Sequence, residues 1–137
     1  MDTSVLDQPS LLLVEENSTI LDSLRDWLRM TFPDLRLIET TNQGDGIFLS
    51  RSEAPDVVLI DISNRGKDGV ESVRAMKSAQ PDATLFALVS FDHRLYRQAI
   101  ENAGAEACAC IWKLRTELLP QLKERLQPET MVLDESR

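Results

Sequence analysis

Histidine is nearly absent from this sequence: His93 is the only one in 137 residues. Standing alone at the expected start of an exposed helix, it reads as a surface or capping residue, not as a metal ligand or a base. Cysteine is almost as scarce, with Cys108 and Cys110 the only two. Two positions apart on an expected strand, they point to the same face, which disfavours a bridge between them. They read as small buried hydrophobes in a reducing compartment. Basic charge is short as well. Lys and Arg number 15 against 23 Asp and Glu, a formal net charge of −8, whereas direct nucleic-acid binding needs a basic footprint. No apolar stretch approaches the roughly 20 residues of a membrane span, and no charged-then-apolar leader opens the chain. The expectation is a cytoplasmic protein that meets neither nucleic acid nor membrane directly. No internal repeat or low-complexity tract is present.

What the chain does have is hydrophobic residues enough for one domain with one core, at 42% of the sequence. Three short apolar runs end on acidic or hydroxyl residues. Leu11-Leu12-Leu13-Val14 meets Glu15-Glu16, Val57-Val58-Leu59-Ile60 meets Asp61, and Leu85-Phe86-Ala87-Leu88-Val89 meets Ser90. Such runs read as fully buried strands. If the strands are parallel, all three polar ends share one rim of the sheet, where ligands of open α/β folds bind. Carboxylates gathered at one point repel each other, so they call for a cation. The rim reads as a hard-metal site beside a candidate nucleophile.

Strand and helix signals alternate five times. The run at 11–14 precedes Asn17-Ser18, a helix cap, and Ile20, Leu21, Leu24, Trp27 and Leu28 follow at helical spacing until Pro33. A second strand is expected over Leu35–Glu39 and a weaker helix from Asn42 to Ser52, with Gly44 and Gly46 blurring its start. The third strand follows Pro55-Asp56. Ser63–Lys67 reads as a loop, and Val70, Val73 and Met76 mark a helix that stops before Pro81. Leu85–Val89 is the fourth strand. Leu95, Ala99, Ile100 and Ala103 form a helix closed by Gly104 as its C′ residue. Ala107–Trp112 is the expected fifth strand, and Leu118, Leu119, Leu122 and Leu126 line one last helix, ended by Pro128. Five βα units with short connections predict a doubly wound α/β fold, a parallel sheet with helices on both faces. The expected division is a domain over 9–127 between tails at 1–8 and 128–137.

These residues resemble the receiver domains of two-component response regulators over about Ser10 to Leu126. Glu15-Glu16 matches the family's acidic pair after strand one, and Asp61 the phosphoacceptor at the end of strand three. Asp68-Gly69, Ser90 and Ala103-Gly104-Ala105 match the family's downstream Asp/Asn-Gly, its hydroxyl residue after strand four and its small-residue run before strand five. The resemblance implies a flavodoxin-like (βα)5 fold with strand order 2-1-3-4-5. It implies Mg²⁺ held by Glu15, Glu16, Asp61 and the backbone carbonyl of Ser63, with Asp61 forming an acyl phosphate. Ser90 would bond a phosphoryl oxygen and a lysine after strand five would pair with another.

The sequence also departs from the family pattern. Glu16 is one methylene longer than the usual Asp, Phe91 stands where a small residue is usual, and Asn64-Arg65 replaces an apolar residue and a proline. The family's lysine position falls on Ile111, and the nearest lysine is Lys113. Period two puts 111 and 113 on one strand face, so Lys113 either reaches the rim, by its length or through a bulge, or caps the last helix in solvent. Cys108 replaces a frequent switching aromatic. Two readings follow. One is a stand-alone, non-enzymatic receiver taking a phosphoryl group from a sensor histidine kinase or histidine phosphotransfer protein. It would signal by protein contact through strand five and helices four and five, with Trp112, Tyr96 and Arg115 on that face and homodimerisation an open alternative. The other is a degenerate receiver that binds partners without phosphorylation. A phosphatase of the haloacid-dehalogenase kind would need an Asp at the position of Ser63, and a flavodoxin a phosphate loop where Glu15-Glu16 would repel phosphate.

Overall fold

Each of the five expected strands forms, and each is followed by helix. The computed structural model describes residues 8–127; most of the tail expected at 1–8 and all of that at 128–137 lie outside them. The strands are β1 (Ser10–Val14), β2 (Arg36–Thr40), β3 (Val57–Asp61), β4 (Thr84–Val89) and β5 (Ala107–Cys110). The helices are α1 (Ser18–Thr31), α2 (Gln43–Glu53), α3 (Asp68–Ala79), α4 (Arg94–Asn102), α5 (Leu114–Glu117) and α6 (Leu119–Leu126). All strands are parallel and their order is β2-β1-β3-β4-β5, the doubly wound flavodoxin-like arrangement.

Period two sorts the central strands between two cores. Leu11, Leu13, Leu59, Phe86 and Leu88 face Leu21, Leu24 and Leu28 of α1 and Leu122 and Leu126 of α6. Leu12, Val14, Val58, Ile60, Ala87 and Val89 face Val73 and Met76 of α3 and Ile100 of α4. β1 and β3 are buried along their whole length because both sheet faces are covered, while β2, at an edge, is only half-buried. Trp27 packs against the first core, as its helical spacing predicts.

Local signals place the helices. The Asn17 side chain accepts a hydrogen bond from the Ile20 N–H at 3.0 Å and opens α1; Asn42 does the same for Asp45 at 2.9 Å and opens α2. Gly104 follows α4 with φ +129°, a backbone region that side chains rarely adopt. His93 occupies the N-cap position of α4, exposed, with no capping bond from its side chain.

Two expectations are corrected. β5 stops at Cys110, two residues short, because the chain turns there and the Lys113 N–H bonds the Cys110 carbonyl at 2.8 Å. The single last helix is two, α5 and α6, with Pro120 in the first turn of α6. Proline has no N–H with which to continue α5 and is tolerated in a first turn.

Candidate functional site

Parallel pairing brings the carboxyl ends of β1 and β3 side by side, with Val14 opposite Ile60. The next residues are therefore neighbours at the rim: Glu15 and Asp61. Both are buried, at 1% and 8% exposure. Each has one oxygen satisfied by a nearby backbone N–H. Glu15 Oε1 accepts from Asn17 at 3.0 Å, and Asp61 Oδ1 from Ser63 at 2.8 Å. The other two oxygens, Glu15 Oε2 and Asp61 Oδ2, are buried without a donor among the described residues. Two adjacent carboxylates in that state are stable only with a proton or a cation between them. The Glu15 carboxyl accordingly rises to about 8, chiefly through burial, then through a hydrogen bond to Asp61 and that residue's negative charge, against the pull of the Asn17 N–H.

The pair fits a small hard cation: two carboxylates, each with a buried oxygen lacking a donor among the described residues, leave the rest of the shell to water. Glu16 stands apart. It is exposed, and its Oε1 is ion-paired with the guanidinium of Arg65 on the loop after β3. Among the described residues no group of three or more His, Cys, Asp or Glu is placed to hold a metal.

Ser90 directly follows β4, half-buried. Beside it the Ile111 N–H bonds the Val89 carbonyl at 2.8 Å, so the side chain beyond β5 nearest to Ser90 in register is an isoleucine. Lys113 does not sit on a strand face, since Ile111 and Trp112 form a turn. It is exposed at the N-cap position of α5, and its charge helps hold Glu117 below the ordinary carboxylate range. Trp112 is 78% exposed.

Three groups of contacts were not foreseen from the sequence. Arg65 pairs with Glu16; the only signal was a charged residue where the family has proline. The Tyr96 hydroxyl donates to the Gly66 carbonyl at 2.6 Å, and its ring stacks on Phe91 at 5.3 Å between centroids. A Cβ on Gly69 would run into that hydroxyl, so a larger residue there would push Tyr96 aside. Arg97 of α4 bonds Glu117 of α5 at 2.7 Å, and Glu117 also accepts from the Cys110 N–H at 2.8 Å. Cys108 and Cys110 are buried, unbridged thiols, and burial pushes Cys108 up to about 11, which keeps it protonated.

No family model matches the chain. A response regulator receiver domain protein (CheY-like) from Methanospirillum hungatei superposes with a TM-score of 0.73 over 90% of this chain and 98% of that one, at 21% identity. This chain has the response regulator receiver fold. The chain is also similar in sequence to curated proteins. Protein PilH of Pseudomonas aeruginosa is 32% identical over 81 residues, 58% of this chain and 65% of that protein. A nitrate/nitrite response regulator protein homolog of Haemophilus influenzae is 20% identical over 93% of this chain and 62% of its own length. The chain thus spans less than two thirds of either relative. Among the described residues, no helix is long and apolar enough to cross a membrane.

Proposed function

We propose that this receiver accepts a phosphoryl group on Asp61 from a sensor histidine kinase or histidine phosphotransfer protein, with Mg²⁺ at the acidic rim, and passes the signal on by protein contact in the cytoplasm. The observation that carries this reading is the buried pair Glu15–Asp61, each with one oxygen lacking a donor among the described residues. Glu15, Asp61 and the Ser63 carbonyl would hold the ion, with Glu16 joining them on release from Arg65. When bound, the ion would neutralise phosphoryl charge. An Asp61 carboxylate oxygen attacks phosphorus. The new P–O bond forms as the P–N bond to the donor imidazole breaks, the imidazole leaves with the electron pair and takes up a proton, and Asp61 carries an acyl phosphate. Ser90 would donate to a phosphoryl oxygen. Lys113 would have to reach back from the start of α5 to pair with another. The contact face would comprise β5, α4 and the last helical stretch, α5 with α6, where exposed Trp112 and Arg115 offer the residue types favoured as anchors; homodimerisation through it is an outcome to measure.

Ile111 beside Ser90, Phe91 after it and the Glu16–Arg65 pair favour a second reading, a degenerate receiver that binds partners without phosphorylation. One titration separates the two. With Mg²⁺ and beryllofluoride, a phosphoaccepting receiver shows a saturable change in tryptophan fluorescence that Asp61→Asn abolishes. A wild-type protein that gives no such change is the degenerate one.

A further inference from the structure

Glu16 is the acid the rim does not collect, and Arg65 is the reason. The loop that carries Arg65 is held at several points: the Arg65 N–H bonds the Ile62 carbonyl at 3.1 Å, the Asp68 N–H bonds the Arg65 carbonyl at 3.0 Å, and Tyr96 clasps Gly66 at 2.6 Å. From that fixed backbone the guanidinium reaches across the rim to Glu16, with the two side chains 29% and 49% exposed. Among the described residues it is the only cationic side chain ion-paired with any of Glu15, Glu16 or Asp61. Deeper in, Glu15 and Asp61 each keep a buried oxygen without a donor among the described residues. One rim therefore holds two acids open to a cation and a third already taken by one.

We propose that Arg65 is a built-in competitor of the divalent cation, a positioning residue that holds Glu16 in an ion pair and restricts the ion to Glu15 and Asp61. The inference rests on the reading of this rim as a Mg²⁺ site. A guanidinium at the rim acts twice: it occupies a carboxylate oxygen that a metal would use, and its charge repels an incoming cation. Arginine suits the role, because it stays charged at any pH the protein meets and its planar fork matches a carboxylate. The protein gains a counter-ion for Glu16 in the metal-free state and loses Mg²⁺ affinity.

The test is calorimetric titration of MgCl₂ into wild type, Arg65→Met, Glu16→Gln and the double variant, with Asp61→Asn as the control for the site itself. Loss of a half-exposed ion pair should tighten Mg²⁺ binding in Arg65→Met by about two- to fivefold. Most of that gain should vanish when Glu16→Gln is added, since the freed carboxylate is its main source. Arg65→Lys should fall between wild type and Arg65→Met. Equal or weaker binding in Arg65→Met, with wild type still binding through Asp61, overturns the competition and leaves the Mg²⁺ reading standing. A gain that survives intact in the double variant overturns the part given to Glu16. No binding in any of these proteins overturns the Mg²⁺ reading and this inference together.

Discussion

Glu15 and Asp61 meet where two parallel strands end in register, and their burial sets opposing demands: the backbone satisfies one oxygen of each, and nothing among the described residues satisfies the other. Without metal, the raised Glu15 carboxyl makes stability depend on pH. Between the ordinary value of 4.5 and about 8 the folded protein keeps a proton that the unfolded chain has released, so stability present below that window is lost as pH rises through it. The melting temperature of metal-free protein should fall across this range. Glu15→Gln, whose amide can donate to Asp61, should flatten the fall, and Mg²⁺ should restore most stability at the alkaline end. Melting curves that are parallel with and without Mg²⁺ from pH 5 to 8 would count against the pair as the cation site. A second expectation concerns Asp61 directly. Intact-mass measurement after treatment with a small acyl-phosphate donor and Mg²⁺ should show one phosphoryl adduct, and Asp61→Asn should show none.

The elements around the site are tied to one another by few polar contacts, which makes each one testable. Glu117 accepts from the Cys110 N–H and from Arg97, linking α5 to β5 and α4. Chiefly that backbone hydrogen bond, and then Arg97 and Lys113, hold its carboxyl below the ordinary value, with burial opposing. The sign here is opposite to that of Glu15: the stability is present above about pH 4.5, and is lost as pH falls through the lowered value of the folded state. Glu117→Gln should therefore lose stability at neutral pH and show a shallower acid limb in urea unfolding. Amide exchange should rise along β5 and α5 and leave β1 and β3 unchanged. At the other end of the chain, Asn17→Ala removes the side-chain acceptor for the Ile20 N–H and should cost about 1 kcal/mol, measured by the shift in denaturation midpoint.

Across the whole molecule, a phosphoryl group on Asp61, as proposed, would have two routes to the surface beyond β5. One runs through the loop after β3, where Gly66 is clasped by Tyr96 of α4 and Tyr96 leans on Phe91 beside Ser90. The other is the register of β4 with β5, which ends at Ile111 and Trp112. Lys113 decides how much the second route carries. If its ammonium reaches the phosphoryl group, the turn at 111–113 must move, and Trp112, at 78% exposure, reports it. The expected outcome is a beryllofluoride-induced fluorescence change that Lys113→Ala reduces severalfold, since one ion pair biases a two-state equilibrium by about 1 kcal/mol. An unchanged response would assign the switching to the Tyr96 route.

Apolar runs, cap residues and helix spacing, all local properties, were enough to determine five βα units and the α/β class, because burial on both sheet faces demands continuous hydrophobic strands and short connections. They were also enough to point at Glu15, Asp61 and Ser90, since a polar residue ending a buried strand must lie at the rim. The end of β5 was not legible: Ala107 to Trp112 has strand composition throughout, and only the turn closed by Lys113 onto Cys110 ends it. The break between α5 and α6 was written in Pro120, yet the leucine spacing runs across it without interruption. Charge pairing lay furthest out of reach. Arg65 and Glu16 are 49 residues apart, and no local pattern says which acid a surface arginine will find. Tertiary structure alone decided that, because parallel pairing of β1 with β3 brings the two loops to one rim, and with it which acids are left open to a cation.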